Sequence, residues 1–320
     1  MKYLKPRRLL RKCRNRNNQL AKNRGRQIQY YNVWQQPFDE IYWSRWFKAH
    51  PALLAGHPDL KIGVFSVFGS RDVIKHTSCD VNIFYTSENL KNKNYWSYSD
   101  SFLSEPKIDL SMGYEYFDNE RYCRFPNWMD VFFLTLDDVT EVCNRLRFPD
   151  CSQKERFASL VCRHDSNGVR GAIMDALSAM GEVACPGKFR HNDDSLFLDF
   201  NDDKISYLRQ FYFNICPENA NAMGYVTEKL FHAIASGCIP IYWGSYNQPE
   251  LEVVNRDAVI FWEPDGDNAH NISFIEDLVR SPQRMKEFLS QPRLLPTAEE
   301  YISETLATVE RKISKLLGSK

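Results

Sequence analysis

The segment that most constrains the fold runs from Phe213 to Gly244, with the sequence FNICPENANAMGYVTEKLFHAIASGCIPIYWG. It contains an apolar run, a polar loop, an amphipathic stretch and a second apolar run. Thr227 is a favourable N-cap residue, and Glu228 in the first turn complements the helix dipole. Gly237 suits the end of the helix. The segment therefore predicts a strand, a loop, a helix and a second strand.

Two further apolar runs precede this segment. They are LKIGVFSVFG at residues 60–69 and VNIFYTSEN at residues 81–89. Strands that are buried on both faces of a parallel sheet have such near-continuous apolar sequences. A helical pattern, FDEIYWSRWFKAH, precedes the first of these runs. The alternation of strands with helices predicts an α/β fold.

A second α/β unit is predicted after Pro149. RFASLVCR reads as a strand, and GVRGAIMDALSAMG reads as a helix because Val169, Ile173 and Leu177 recur at helical spacing. KISYLRQFYF is predicted as another helix. We therefore place the domain boundary near Asp150. The predicted parts are a basic arm at residues 1–26, a first domain at 27–150, a second domain at 151–295 and a C-terminal helix at 296–320.

The charges are unevenly distributed along the chain. Residues 1–26 contain eleven Lys or Arg residues and no acidic residue, whereas the remainder has 30 basic and 41 acidic residues. The arm is expected to be helical or disordered. Its charges suit a nucleic-acid backbone or an anionic membrane. The leucines in LKPRRLLRK favour the membrane, so we predict peripheral attachment to the inner membrane face and no nucleic-acid partner.

The cysteines and the hydropathy bear on the cellular compartment. The nine cysteines are odd in number and include no CxxC pair, which predicts free thiols in a reducing compartment and no zinc site. No apolar run approaches the ~20 residues of a membrane-spanning helix. The first residues also lack the apolar region of a secretory signal. A cytoplasmic protein is therefore expected, or a chain that lacks its anchor.

Charged residues at the start of the helix in the 213–244 segment indicate an anion site. Ligands of open α/β sheets bind at the carboxyl ends of the strands. A helix N-terminus attracts anions, and Lys229 adds a full positive charge in the same turn. A phosphate or pyrophosphate group fits this pattern. The alternative is that Glu228 and Lys229 are ordinary solvated residues of a first helical turn.

The same stretch resembles the donor-binding motif of a known family. PENANAMGYVTEKL followed by GCIPIYWG resembles the motif of the α1,3/4-fucosyltransferases, glycosyltransferase family ten, bacterial type. VNIFYTSEN resembles the F-Y-T-G-E-N segment of that family, with Ser87 in place of the usual glycine. MGYEYFDNERYCRFP and PGKFRHN resemble two further family segments. The resemblance covers roughly residues 27–290, and the basic arm lies outside it.

The resemblance implies a GT-B architecture, with two Rossmann-like domains that face each other across a cleft. The N-terminal domain would bind the acceptor, and the C-terminal domain would bind GDP-fucose. The implied activity is inverting α1,3-fucosyl transfer from GDP-β-L-fucose to the N-acetylglucosamine of a galactose–N-acetylglucosamine acceptor. That acceptor would be an oligosaccharide or a glycolipid such as lipopolysaccharide, and the product would be a Lewis-type antigen.

The resemblance also implies roles for single residues. Glu88 would be the general base, Arg190 and Lys229 would bind the diphosphate, and Glu228 would face the fucose. Asn219, Tyr225 and Thr227 complete the predicted donor-binding set. No metal ion is required in the family, and stimulation by Mn²⁺ or Mg²⁺ is left open.

Two alternatives to this activity are left open. The chain could use the same fold with another nucleotide sugar, or it could be a non-catalytic protein that binds nucleic acid or membrane through its basic arm. Asp265 and Asp267 have the D-x-D spacing of manganese sites, but EPDGDN reads as a turn. The choice between 1,3 and 1,4 linkage is also open.

Overall fold

The computed structural model describes residues 6–34 and 36–320. In them the chain forms two compact units. The first consists of the described residues up to Leu136 together with Glu304–Lys320, and the second is Asp137–Ser303. Each unit contains one five-stranded sheet in which all paired strands are parallel. This confirms the predicted α/β fold class.

The first unit has its strands in sequential order, β1-β2-β3-β4-β5. Both apolar runs that were predicted as strands form the middle of this sheet, where every residue of β2 and β3 is buried. The strands are β1 (Ile28–Tyr31), β2 (Ile62–Phe65), β3 (Val81–Tyr85), β4 (Leu110–Gly113) and β5 (Tyr122–Arg124). The helices are α1 (Pro6–Asn23), α2 (Tyr42–Ala49), α3 (Pro51–Ala55) and α4 (Asn127–Phe132).

The second unit has the strand order β10-β9-β8-β6-β7. The chain leaves β6 for β7 on one side and returns to β8 on the other, so the topological switch point lies between β6 and β8. The strands are β6 (Arg156–Ser159), β7 (Val183–Ala184), β8 (Phe211–Ile215), β9 (Ile239–Tyr242) and β10 (Ile260–Phe261). The helices are α5 (Val139–Arg147), α6 (Val169–Leu177), α7 (Ser195–Leu198), α8 (Lys204–Leu208), α9 (Glu228–Ala235), α10 (Ala269–Arg280) and α11 (Pro282–Leu289).

The division between the units lies at Leu136, not near Asp150. Helix α5 belongs to the second unit because its C-terminal carbonyl, at Arg147, accepts a hydrogen bond of 2.8 Å from the N–H of Arg293. At the other end of α5, the hydroxyl of Thr140 donates to Glu299 at 2.6 Å. The predicted boundary near Asp150 lies at the other end of this helix from Leu136, and the predicted domain bounds stay a prediction.

Two predicted helices also differ in detail. The final helix, α12, spans Ala298–Gly318, and its part from Glu304 onward belongs to the first unit. There the Nζ atom of Lys312 donates to the carbonyl of Glu120 at 2.9 Å. In KISYLRQFYF, α8 ends at Leu208, and the second half of the stretch is the start of the buried strand β8.

Helix α1 contains most of the predicted basic arm, and it is attached to the sheet by two amide side chains. The Asn23 amide accepts from the N–H of Tyr30 and donates to its carbonyl, both at 2.8 Å. The Gln19 amide accepts from the N–H of Asn32 at 2.7 Å and donates to its side-chain oxygen at 3.1 Å. The arm is therefore helical from Pro6, and residues 1–5 lie outside the described part.

All nine cysteines are free thiols, and five of them are buried. Burial raises the pKa of the Cys143 thiol to about 11. Within residues 6–34 and 36–320, no helix is both long and apolar enough to cross a membrane. The same residues contain no group of three potential metal-ligating side chains.

We predict that Gly237→Ala destabilises the protein more than Gly25→Ala. Both glycines have a positive φ, +72° and +78°, which is unfavourable for alanine. At Gly237 the added Cβ would also lie 2.6 Å from the carbonyl oxygen of Asp150, whereas at Gly25 nothing lies within 4 Å. Urea unfolding should show losses of about 2–4 kcal/mol and about 1 kcal/mol, respectively. Equal losses would contradict the close contact at Gly237.

Candidate active site

The central feature of the second unit is a buried carboxylate at the carboxyl end of β8. Glu218 is fully buried. It accepts hydrogen bonds from the N–H and the hydroxyl of Thr227, both at 2.7 Å, and from the Nζ atom of Lys229 at 3.3 Å. A Cβ at Gly244 would lie 2.6 Å from the Cγ of Glu218, so glycine is needed there. Glu218 therefore joins the end of β8, the start of α9 and the end of β9.

Lys229 is the positive partner of this carboxylate. Its Nζ atom donates to the Thr227 hydroxyl at 2.8 Å and lies 3.8 Å from Oε1 of Glu228. Burial lowers the pKa of Lys229, but the charges of Glu228 and Glu218 outweigh this effect and raise the pKa above its ordinary value. The side chain remains 22% exposed. Lys229 is therefore a fixed, protonated amine that an anion can reach.

Thr227 occupies the predicted N-cap position, but its hydroxyl does not cap the helix. The residue has the extended backbone of an N-cap, and its side chain forms no capping hydrogen bond. The hydroxyl is instead bonded to Glu218, because a buried carboxylate forms stronger, charge-assisted hydrogen bonds. Thr227 is therefore the N-cap residue, as predicted, but its hydroxyl does not form the hydrogen bond expected of a cap.

A residue that the sequence analysis did not single out spans the switch point. Arg170, in the first turn of α6, is buried. Its guanidinium donates to the carbonyl of His164 at 2.7 Å, after β6, and to that of Pro217 at 3.0 Å, after β8. It also donates to Oδ1 of Asn219 at 2.8 Å. These acceptors are uncharged, so they do not neutralise the positive charge of Arg170. That charge lowers the pKa of Lys229. Arg170 and Lys229 therefore act electrostatically at one site.

The unusual position of Arg170 was a usable signal. Acidic residues are favoured in the first turn of a helix, and cations are disfavoured there. Arg170 lies at the start of an apolar helix that follows a strand. Its positive charge is therefore unfavourable for the dipole of that helix. Such violations concentrate at functional sites.

The other predicted donor-binding residues are distributed around this network. Asn219 is exposed and oriented by Arg170, and Tyr225 is buried in the loop before α9. Burial raises the pKa of Glu228, but the positive charge of Lys229 is the largest opposing effect, and the pKa is lowered to about 2. Burial lowers the pKa of His232 to about 4. Near neutral pH, Glu228 is therefore ionised and His232 is uncharged.

Arg190 has a different environment from Arg170. It follows β7, is exposed, and has a positive φ of +47°. Its guanidinium is paired with both carboxylate oxygens of Asp175, one of them at 3.1 Å. The hydrogen bonds of Arg190 thus do not bring it into the network of Glu218 and Lys229. Its role in diphosphate binding stays a prediction.

Glu88 lies in the first unit, just after the carboxyl end of β3. It is half-buried, and its N–H donates to the hydroxyl of Thr86 at 3.0 Å. Burial raises the pKa of Tyr95, and the negative charge of Glu88 raises it further. The next residue, Asn89, accepts a hydrogen bond from the Tyr114 hydroxyl at 2.9 Å. This places Glu88 at the sheet edge where ligands of α/β folds bind. Its role as a base stays a prediction.

A second carboxylate at this edge was not predicted. Glu115 follows the neighbouring strand β4 and is buried. The Ser101 hydroxyl donates to it at 3.0 Å. Burial raises the pKa of Glu115. Glu115 is therefore a second candidate, besides Glu88, for the residue that transfers a proton.

The D-x-D pair in EPDGDN is part of a turn. The carboxylate of Asp267 accepts from the N–H of Ala269 at 2.8 Å, at the start of α10. This local hydrogen bond is typical of an Asx turn. The prediction that no metal is required remains untested.

Comparisons with known proteins agree with this geometry. The model for "Glycosyltransferase family 10 (fucosyltransferase) C-term" matches residues 151–303. The model for "Alpha-(1,3)-fucosyltransferase FucT N-terminal domain" matches residues 28–131. The chain belongs to glycosyltransferase family 10. The family resemblance seen in the sequence is thereby confirmed.

Relatives of this chain include proteins named as fucosyltransferases. The chain is 30% identical over 193 residues to alpha-(1,3)-fucosyltransferase FucT of Helicobacter pylori. This match covers 51% of this chain and 37% of that protein. The chain is 29% identical over 92 residues to alpha-(1,3)-fucosyltransferase B of Drosophila melanogaster, or 29% of this chain and 17% of that protein. The matches thus span less than half of each relative's length.

Solved structures of α1,3-fucosyltransferases share the fold. One, titled as an α1,3-fucosyltransferase, has a TM-score of 0.58 and 22% identity. Another, titled as an α1,3-fucosyltransferase with GDP-fucose, has a TM-score of 0.56 and 20% identity. Each match covers 89% of both chains. This family 10 chain therefore has the GT-B fold of those enzymes.

We predict that Lys229→Met destabilises the protein and that Glu218→Gln restores much of the loss in the double variant. Removing Lys229 leaves the buried carboxylate of Glu218 without its cation, a change that costs about 3–5 kcal/mol in similar buried pairs. A neutral glutamine in the same place removes that unpaired charge. The free energy of unfolding in urea, measured for both single variants and the double variant, checks this. Additive losses would show that the two side chains are not coupled.

Proposed function

We propose that this chain is an inverting α1,3-fucosyltransferase. It transfers L-fucose from GDP-β-L-fucose to the N-acetylglucosamine of a galactose–N-acetylglucosamine acceptor, carried on an oligosaccharide or a glycolipid. The names of its relatives and its membership of family 10 support this reaction. The single structural observation that carries it is the network of Glu218, Thr227 and Lys229 beside Arg170. It holds the cations of Lys229 and Arg170 in fixed positions at a switch point, where nucleotide ligands bind.

The leaving group of this reaction is GDP, whose diphosphate gains negative charge as the bond to fucose breaks. Lys229 is protonated, and Arg170 offers a planar guanidinium suited to phosphate oxygens. Both side chains are already held by hydrogen bonds to the protein, so little reorganisation is needed when the charge develops. These two residues would stabilise the departing diphosphate.

Glu228 would act on the sugar. A fucosyl group in transfer carries positive charge at its anomeric carbon, as in other glycosyl transfers. Glu228 is ionised near neutral pH because its pKa is about 2, and the positive charge of Lys229 is the main cause. A constant negative charge near the fucose would favour that transition state. Asn219, Tyr225 and Thr227 would shape the pocket around the donor.

Glu88 would be the general base. An inverting displacement needs one base that removes the proton from the attacking hydroxyl. Glu88 follows the carboxyl end of β3 and is half-buried. A carboxylate in that position can be desolvated when the acceptor binds, which raises its basicity. We propose further that the enzyme needs no metal ion, that it is cytoplasmic, and that its basic arm contacts an anionic membrane.

We predict that Glu88→Gln strongly slows transfer while donor binding persists. GDP release and product mass should be followed with GDP-fucose and N-acetyllactosamine. The expected loss in kcat is about 10²- to 10⁴-fold, as for removal of a general base. Calorimetry should find an unchanged dissociation constant for GDP-fucose.

The matched control is Glu115→Gln, which removes the other carboxylate at the same sheet edge. Because Glu115 is buried and bonded to Ser101, its loss should lower kcat by less than about tenfold. A larger loss with Glu115→Gln than with Glu88→Gln would reassign the base. A wild-type protein that binds another GDP-sugar more tightly than GDP-fucose would overturn the donor assignment.

A further inference from the structure

A second candidate site lies within the first unit, between α1 and the loops that follow β1 and β2. This groove has a volume of about 1160 Å³. Arg11, Arg16 and Lys22 of α1 line it together with Trp34 and Phe68 of the two loops. Its described lining residues include these three cations and no acidic side chain. The groove therefore carries a positive potential, which attracts anions.

The cations are presented by a fixed helix. Arg11, Asn15 and Lys22 are spaced by four and seven residues, which places them on one face of α1. The amides of Gln19 and Asn23 anchor the same helix to the edge of β1. The guanidinium of Arg16 lies 2.8 Å from the ring of His76. The cations that line the groove are thus held in place by a helix that is packed on the first unit.

An aromatic row leads from the groove toward Glu88. Trp34 is 59% exposed, and its ring meets that of Phe68 edge to face at 5.0 Å. Phe68 meets Tyr95 in the same way at 6.2 Å. Glu88 acts electrostatically on Tyr95. Aromatic rings offer an apolar face and polar edges, so the C–H face of a sugar ring can pack on them.

We propose that this groove binds an anionic sugar of the acceptor other than the sugar that is fucosylated. The inference rests on the proposed function and specifies its substrate class: an oligosaccharide that carries a carboxylate or a phosphate. The aromatic row contacts the neutral sugars, and the cations of α1 contact the anionic group. Helix α1 lies outside the segment 28–131 that matches the family, so it is a feature of this chain beyond that match.

A saccharide fits the groove better than a membrane surface does, and the proposed membrane contact of the arm involves cations that do not line the groove, such as Arg14 and Arg24. The cations of Arg11 and Lys22 line a concave space beside an exposed tryptophan, whereas a lipid surface is contacted by an outward-facing helix face. The row of rings ends at Tyr95, whose pKa is raised in part by the charge of Glu88. Both features support an anionic group on the same ligand as the reacting hydroxyl.

The test compares one neutral acceptor with two charged versions of it. N-acetyllactosamine is used alone, extended by a carboxylate-bearing sugar, and extended by a phosphate-bearing sugar. The KM of each is measured with wild type, with Arg11→Gln/Lys22→Gln, and with the control Arg14→Gln/Arg24→Gln. The control removes two exposed positive charges from the same segment that do not line the groove.

Wild type should have a KM about three- to tenfold lower for a charged acceptor, as expected for exposed ion pairs. The groove variant, Arg11→Gln/Lys22→Gln, should lose the preference for charged acceptors without a change in kcat. The control variant should keep this preference. High salt should reduce the preference of wild type. The acceptor with the larger preference identifies the anion. Equal KM values for neutral and charged acceptors, or an equal effect of the control, would overturn the inference.

Two further outcomes separate this inference from its alternatives. If wild type transfers fucose to none of the acceptors, the proposed function fails. Calorimetry with the carboxylate-bearing and neutral saccharides then tests the groove by itself, and equal affinities would overturn it. If the groove variant keeps its saccharide preference but loses binding to phosphatidylserine vesicles, the occupant is a membrane and the inference is wrong.

Discussion

A single buried carboxylate organises the second unit. Glu218 is removed from water, and an ionised group there is tolerated only with a cation and full hydrogen bonding. Lys229 supplies the cation, and Thr227 supplies two hydrogen bonds. The same side chain fills the space above Gly244. The loop after β8, the start of α9 and the end of β9 are therefore set in relation to one another before any ligand binds.

This constraint explains how the fold holds two cations in fixed positions at one sheet edge. In a parallel sheet the carboxyl ends of the strands meet at one edge, and the chain reverses direction across the sheet between β6 and β8. Arg170 bridges that gap through carbonyls on both sides. Lys229 and Arg170 are consequently held by the protein and remain positively charged. A diphosphate that enters there meets donors that are already oriented, which is the basis of electrostatic stabilisation.

The strand, loop and helix of the 213–244 segment could be predicted because apolar periodicity and a terminal glycine are local signals. The position of Arg170 in a first helical turn was a local signal, but its partners at His164 and Pro217 could not be predicted, because they are adjacent only after β6 and β8 pair. The Thr227 hydroxyl was assigned to a cap for the same reason, since the burial of Glu218 is a property of the folded unit. The docking of α1 by Gln19 and Asn23 leaves no periodic pattern in the sequence.

Arg170 and Lys229 are proposed to bind the diphosphate of the donor. A crystal structure of the Glu88→Gln variant with GDP-fucose tests this proposal most directly. We expect phosphate oxygens within about 3.2 Å of the guanidinium of Arg170 and the amine of Lys229, with the Glu218 contacts retained. A diphosphate that is bound by Arg190 after release from Asp175, with no contact to Arg170, would contradict it.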